Sequence, residues 1–79
     1  MSNRTDEIRK LAESIGVNLS GCDNETDLFE EGIMDSLQIA LMVGEIEKKY
    51  GFKFELDDIN PDVFENIASL AAFVDSKLN

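Results

Sequence analysis

The stretch "DSLQIALMVGEIEKKYG", residues 35 to 51, restricts the fold more than any other part of the chain. It is too long for an ordinary strand, its apolar residues recur at helical spacing, and it stops on a glycine. It therefore reads as a helix over residues 36 to 50. Asp35 falls at the cap and Gln38 three residues later, the arrangement of a capping box. On a wheel of about 100° per residue, Ile39, Met42, Val43, Ile46 and Tyr50 share one sector, a sufficient stripe for burial against a core. Leu37, Ala40, Leu41 and Gly44 form a second apolar sector on nearly the opposite side. Gln38, Glu45 and Lys49 occupy one polar gap between the two, Ser36 and Glu47 the other. A helix bedded on a single core needs only one stripe. The second is either covered by the preceding loop, which is an even choice for Leu41, or left exposed as a contact site, as expected for Leu37 in the first turn. Ala40 and Gly44 would let another surface come close.

Around that helix the chain offers further helical segments. Ile8, Leu11, Ala12 and Ile15 recur at helical spacing within residues 3 to 15. Ser2, Asn3 or Thr5 is available as cap, Asp6 and Glu7 suit the first turn, and Gly16 ends the segment. A long connection, "GVNLSGCDNETDLFEEGIM", follows; connections beyond roughly 12–15 residues are uncommon in compact domains and tend to be functional. Val17, Leu19, Leu28, Phe29 and Ile33 mark it as packed across the helices. After Gly51, "FKF" has the alternation of a strand, but nothing else in the chain offers it a partner. A short helical turn is expected near residues 57 to 62, with Asn60-Pro61 as a boundary. The final helix, in "NIASLAAFVDSKL", has Asn66 as cap, Ile67, Leu70, Ala71 and Val74 on one stripe, and Phe73 beside it. The expected fold is all-α: a small bundle of three main helices plus one short helix, with a long loop between the first two, forming a single domain over residues 1–79.

Composition narrows the function. A chain of 79 residues buries only about 60% of the surface its unfolded form exposes, so its margin of stability is small. Seventeen acidic against seven basic residues give a net charge of −10, which disfavours nucleic acid as a partner and serves either plain solvation of a small domain or encounters with basic protein surfaces. No apolar stretch approaches the roughly 20 residues that cross a bilayer, and "MSNRTDEIRK" lacks the apolar core of a signal peptide. A cytoplasmic, soluble monomer is expected. There is no histidine, and Cys22 is the single cysteine; it has no disulfide partner and no base to activate it, so it is expected to pack as a half-buried loop residue. Asp23, Glu25 and Asp27 alternate like the first ligands of a calcium loop, but Leu28 stands where glycine is required and Met34 where the last glutamate belongs, so no metal is expected. The chain is not expected to be an enzyme.

Ser36 remains to be explained. At the first helical position its hydroxyl would point outward. A phosphoryl group attached there would meet free backbone N–H groups and the positive end of the helix dipole.

These residues together carry a resemblance. A first amphipathic helix and a long loop holding "DLFEEGIMDSLQ" come before an apolar helix ending "IEKKYG", and an acidic turn "ELDDINPD" and "VFENIASLAAFV" come after it. In order and spacing the chain resembles the acyl carrier protein family, including peptidyl and D-alanyl carriers, over nearly its whole length. The resemblance implies that Ser36 is the covalent attachment point of 4′-phosphopantetheine. A separate phosphopantetheinyl transferase would donate the group from coenzyme A and supply the activation that the serine lacks. The arm's thiol would carry acyl or aminoacyl groups as thioesters between enzymes that load, elongate or transfer them through basic docking surfaces. Asp35 would help the transferase recognise the site, and Leu37, Ala40, Leu41, Gly44 and Glu47 lie where carriers meet their enzymes. Gln38 and Leu41 stand where fatty-acid and polyketide carriers often have acids, which points to a specialised set of partners. "EEGIMDS" is also similar to D-alanyl carriers. The alternative is a protein-interaction module with the carrier fold that is never modified.

Overall fold

A computed structural model describes residues 3–79, with helices α1 (Arg4–Ser14), α2 (Ser36–Tyr50) and α3 (Ile67–Leu78) and a 3-10 turn at Leu56–Asp58. Each α-helix starts on a side-chain oxygen. Asn3, Asp35 and Asn66 accept hydrogen bonds from the backbone N–H groups of Asp6, Gln38 and Ser69 respectively, satisfying donors that the first turn leaves unpaired. Of the caps considered for α1, Asn3 takes the role; Ser2 lies outside the described residues. Gly51 ends α2 in the left-handed region at φ 79°, which costs glycine nothing.

Helix α1 packs against both α2 and α3. Ile8 and Ala12 of α1, Met42 and Ile46 of α2, and Ile67, Leu70, Ala71 and Val74 of α3 are buried together with Phe64. The long loop closes this core with Val17, Leu19, Leu28 and Met34, so it is a structural layer. It is stitched down by Leu28 N–H to the Glu65 carbonyl at 2.8 Å and Ala68 N–H to the Asn24 carbonyl at 3.0 Å. Arg9 of α1 adds bonds to the Cys22 carbonyl and the Asn24 side chain, and Cys22 is half-buried as expected. Phe29 departs from expectation: it is 44% exposed because the Asp27 side chain turns the chain there, accepting from the N–H groups of Phe29 and Glu30.

Residues 52 to 54 join no strand, and no strand forms among the described residues. Their alternation has another cause. Phe52 and Phe54 both reach the Phe73 ring, at 6.1 and 5.0 Å, and Phe54 also meets Phe64 at 6.0 Å, while Lys53 points to water. The period of two serves an aromatic cluster in place of a sheet.

The ends of the helices farthest from Ser36 are tied by a polar clasp. Arg4 pairs with Asp75 at 2.7 Å and with Glu7 at 2.8 Å, its guanidinium lies 4.9 Å from the Tyr50 ring centre, and the Tyr50 hydroxyl donates to Glu7 at 2.7 Å. Burial, then the bond to the Glu7 carboxylate, pushes the Tyr50 hydroxyl up from its ordinary 10.0 to about 12. A pKa raised by folding stabilises the fold below the unfolded value, and that contribution disappears as pH rises from 10.0 to about 12. In alkaline denaturant titrations the parent should therefore lose stability over this window faster than Tyr50→Phe; parallel curves would contradict the assignment.

Candidate functional site

The site is built on the start of α2. The Asp35 carboxylate accepts from Gln38 N–H at 2.9 Å, and the Gln38 side chain accepts from Asp35 N–H at 3.2 Å. Both members of the predicted box are therefore engaged, and Asp35→Ala should cost about 1 kcal/mol. Denaturant midpoints of Asp35→Ala and the parent would check this, and identical midpoints would remove the box from the account.

Ser36 follows at the first helical position, exposed, and no side chain among the described residues hydrogen-bonds its hydroxyl. The oxygen is free to receive a group, and the unpaired N–H groups of the first turn lie beside it. Leu37 is 68% exposed and Leu41 45%. Ala40 and Gly44 are exposed too, and nothing lies within 4 Å of where a Cβ on Gly44 would stand. The long loop therefore does not cover the second apolar sector. Glu47 is half-buried and occupied: it accepts from Phe54 N–H at 2.8 Å and faces Lys53 at 4.0 Å, fixing the segment that leaves α2.

The other sector of α2 packs against the core as expected, but unevenly. Met42 and Ile46 are fully buried, but Ile39 and Val43, read from sequence as core, are half-buried. They line an open groove of about 420 Å³ with Ser36, Ala40 and Ile59. Ile59, the residue after the 3-10 turn, forms the far wall of this groove. The attachment candidate thus lies at the edge of an open, mostly apolar groove between α2 and Ile59. Sequence reading missed the turn's part in this site. The signal was present as two aliphatic residues, Leu56 and Ile59, three apart within the acidic "ELDDIN".

Charge is segregated around Ser36. No lysine or arginine occurs from residue 11 to 47 or from 54 to 76, whereas Glu31, Asp35, Glu55 and Asp57 are exposed. Lys48 and Lys49 sit in the last turn of α2, roughly 18 Å along the axis from Ser36, where they suit the helix dipole. The loop acids that mimic a calcium motif make turns instead. Asp23 accepts from Glu25 N–H and the Thr26 hydroxyl, bonds that hold its carboxyl below the usual carboxylate range.

A serine at a helix tip, with no hydrogen-bonding side chain among the described residues and an open groove beside it, fits the attachment of a phosphorylated arm. The sequence pattern described as "Phosphopantetheine attachment site" matches residues 7–74, nearly the whole chain. The chain belongs to this family of carrier domains. Such a domain is the point of covalent attachment of 4′-phosphopantetheine, is not itself catalytic, and interacts with a phosphopantetheinyl transferase and partner enzymes. No curated protein matches the carrier. Among solved structures it is similar to a chain in the "Crystal structure of FAD-dependent dehydrogenase", at 44% identity and a TM-score of 0.62, covering 68% of the carrier and 76% of that chain. No helix among the described residues is long and apolar enough to cross a membrane.

Proposed function

We propose that this carrier holds acyl or aminoacyl intermediates on a 4′-phosphopantetheine arm attached to Ser36 and presents them to partner enzymes of a specialised biosynthetic route. The observation that carries the reading is the free hydroxyl of Ser36 at the capped start of α2, within the residues that match the attachment-site pattern. In the modification the Ser36 Oγ bonds to the phosphorus nearest the pantetheine of coenzyme A. The pyrophosphate bond breaks, adenosine 3′,5′-bisphosphate leaves, and the hydroxyl proton passes to the transferase. Once attached, the arm supplies a thiol that holds cargo as a thioester. The chain's own part is to present the oxygen, to keep it clear of side chains that would compete for it, and to offer neighbouring N–H groups to the phosphate.

An FAD-dependent dehydrogenase is proposed as one partner. The support is the solved structure described by that name, in which a chain 44% identical to the carrier occurs. Because 68% of the carrier aligns with 76% of that chain, the matched chain is the shorter of the two. A flavin-binding fold of dinucleotide type needs considerably more polypeptide than that, so the matched chain has the size of a carrier and not of the flavoenzyme.

The test is intact mass after incubation with coenzyme A and a broad-specificity transferase, followed by peptide mapping. One added phosphopantetheinyl group, located on Ser36, is the expected result. An unchanged mass would favour an unmodified interaction module, and a group located elsewhere would overturn the assignment of Ser36.

A further inference from the structure

We propose that the groove between the long loop and the segment before α3 is a second docking site. Its occupant is an arginine side chain of a partner protein, laid on the Phe29 ring and held by Glu30, Asp62 and Glu65. This surface goes beyond the attachment of the arm, because none of the residues that line it lines the groove beside Ser36.

The groove measures about 360 Å³ and is lined by Asp27, Phe29, Glu30, Pro61, Asp62 and Glu65. Both of its walls are fixed. On the loop side the Asp27 carboxylate accepts from the N–H groups of Phe29 and Glu30, which holds the Phe29 ring outward, 44% exposed. On the other side the Asn60 side chain accepts from Val63 N–H at 2.9 Å and donates to the Asp57 carbonyl at 2.7 Å, bracketing Pro61 and Asp62. The bond from Leu28 N–H to the Glu65 carbonyl ties one wall to the other. A site whose walls are set before the partner arrives loses little freedom on binding.

Phe29 and Pro61 give the groove its apolar surface, and the charge around them has one sign. Glu30, Asp62 and Glu65 are exposed and form no ion pair among the described residues. No lysine or arginine occurs from residue 11 to 47 or from 54 to 76. Arg9, which reaches the same loop, is engaged by the Cys22 carbonyl and the Asn24 side chain. Carboxylates gathered without a counter-charge repel one another, and a cation entering the groove relieves that repulsion. A divalent metal does not fit, since no group of three carboxylates among the described residues is placed to hold one. The acids suit a broader cation. A guanidinium is planar, weakly hydrated and a fork of donors. It can lie on the Phe29 face while its N–H groups reach two carboxylates. A lysine ammonium is a strongly hydrated point charge and gains less from the ring.

The arginine comes from a protein surface. A chain with a net charge of −10 draws basic surfaces towards it, and the groove opens outward to meet a side chain presented from one. The contact is small, as befits a partner that must let go after each encounter. A partner anchored here need not occupy the groove beside Ser36, so an arm on Ser36 keeps its freedom to enter an active site while the carrier is held.

The test follows the backbone amide resonances of the full chain by NMR during titration with a blocked tripeptide that has arginine at its centre, at fixed ionic strength. Saturable shifts centred on Phe29, Glu30, Asp62 and Glu65 are expected. The same tripeptide with lysine should bind more weakly, and magnesium chloride should not reproduce the shifts. Phe29→Ala and Glu65→Gln should each weaken arginine binding about two- to fivefold. Both side chains are exposed, so the thermal melts of these variants should overlay that of the parent. Glu13→Gln, at an exposed acid on α1, should bind as the parent does. No saturable shift, equal binding of the lysine tripeptide, the same shifts with magnesium, parental affinity in Phe29→Ala or Glu65→Gln, or equal weakening in Glu13→Gln would each overturn the proposal. None of these readouts involves Ser36, so failure here is distinguishable from failure of the carrier to gain its arm.

Discussion

Replacing Phe64 with alanine is expected to leave the chain largely unfolded at physiological temperature. Phe64 is 1% exposed and among the largest fully buried side chains. Its ring stacks on Phe54, which meets Phe73 and Phe52, so it joins the aromatic cluster after α2 to the main core. Truncating a buried phenylalanine costs about 3–5 kcal/mol, and a chain of this length has a total stability of roughly 4–12 kcal/mol. A chain this short buries only about 60% of its surface and belongs at the low end of that range, where the loss is comparable with everything available. Far-UV circular dichroism should show most helical signal gone for Phe64→Ala and a lowered but cooperative melt for Phe64→Leu. A Phe64→Ala melt within a few degrees of the parent would mean that the cluster closes over the gap.

Ser36→Ala should have the opposite profile, abolishing modification while leaving stability untouched. The side chain is exposed and has no hydrogen-bonding partner among the described residues, and the cap belongs to Asp35. Nothing that holds the fold is removed. Intact mass should show no addition in the variant under conditions that convert the parent completely, with superimposable thermal melts. Full modification of Ser36→Ala would transfer the attachment to another residue. A large drop in melting temperature would show that the hydroxyl supports the helix start.

Local physics made much of this legible in the sequence. The three helices, their capping residues and the end of α2 at Gly51 follow from side-chain periodicity and from hydrogen bonds spanning three or four residues, and the structure reproduces them. Exposure of Leu37 was equally readable, since a first-turn residue opposite the core stripe has little chain near enough to cover it. The errors arose where an outcome depended on residues distant in sequence. Phe29 was expected to pack and does not, because the Asp27 turn sends it outward. Ile39 and Val43 do pack against the core, but only in part, and their remaining surface lines the groove opposite Ile59.

What the sequence by itself determined is the set of elements, the outward serine at the start of α2 and the family to which the chain belongs, all of which are encoded in the order and spacing of near neighbours. Only the tertiary structure decided which apolar residues are left over. Burial depends on where the long loop and the 3-10 turn come to rest, so the exposure of Leu41 and Leu56 and the groove beside Ser36 emerge only once the chain has packed on itself.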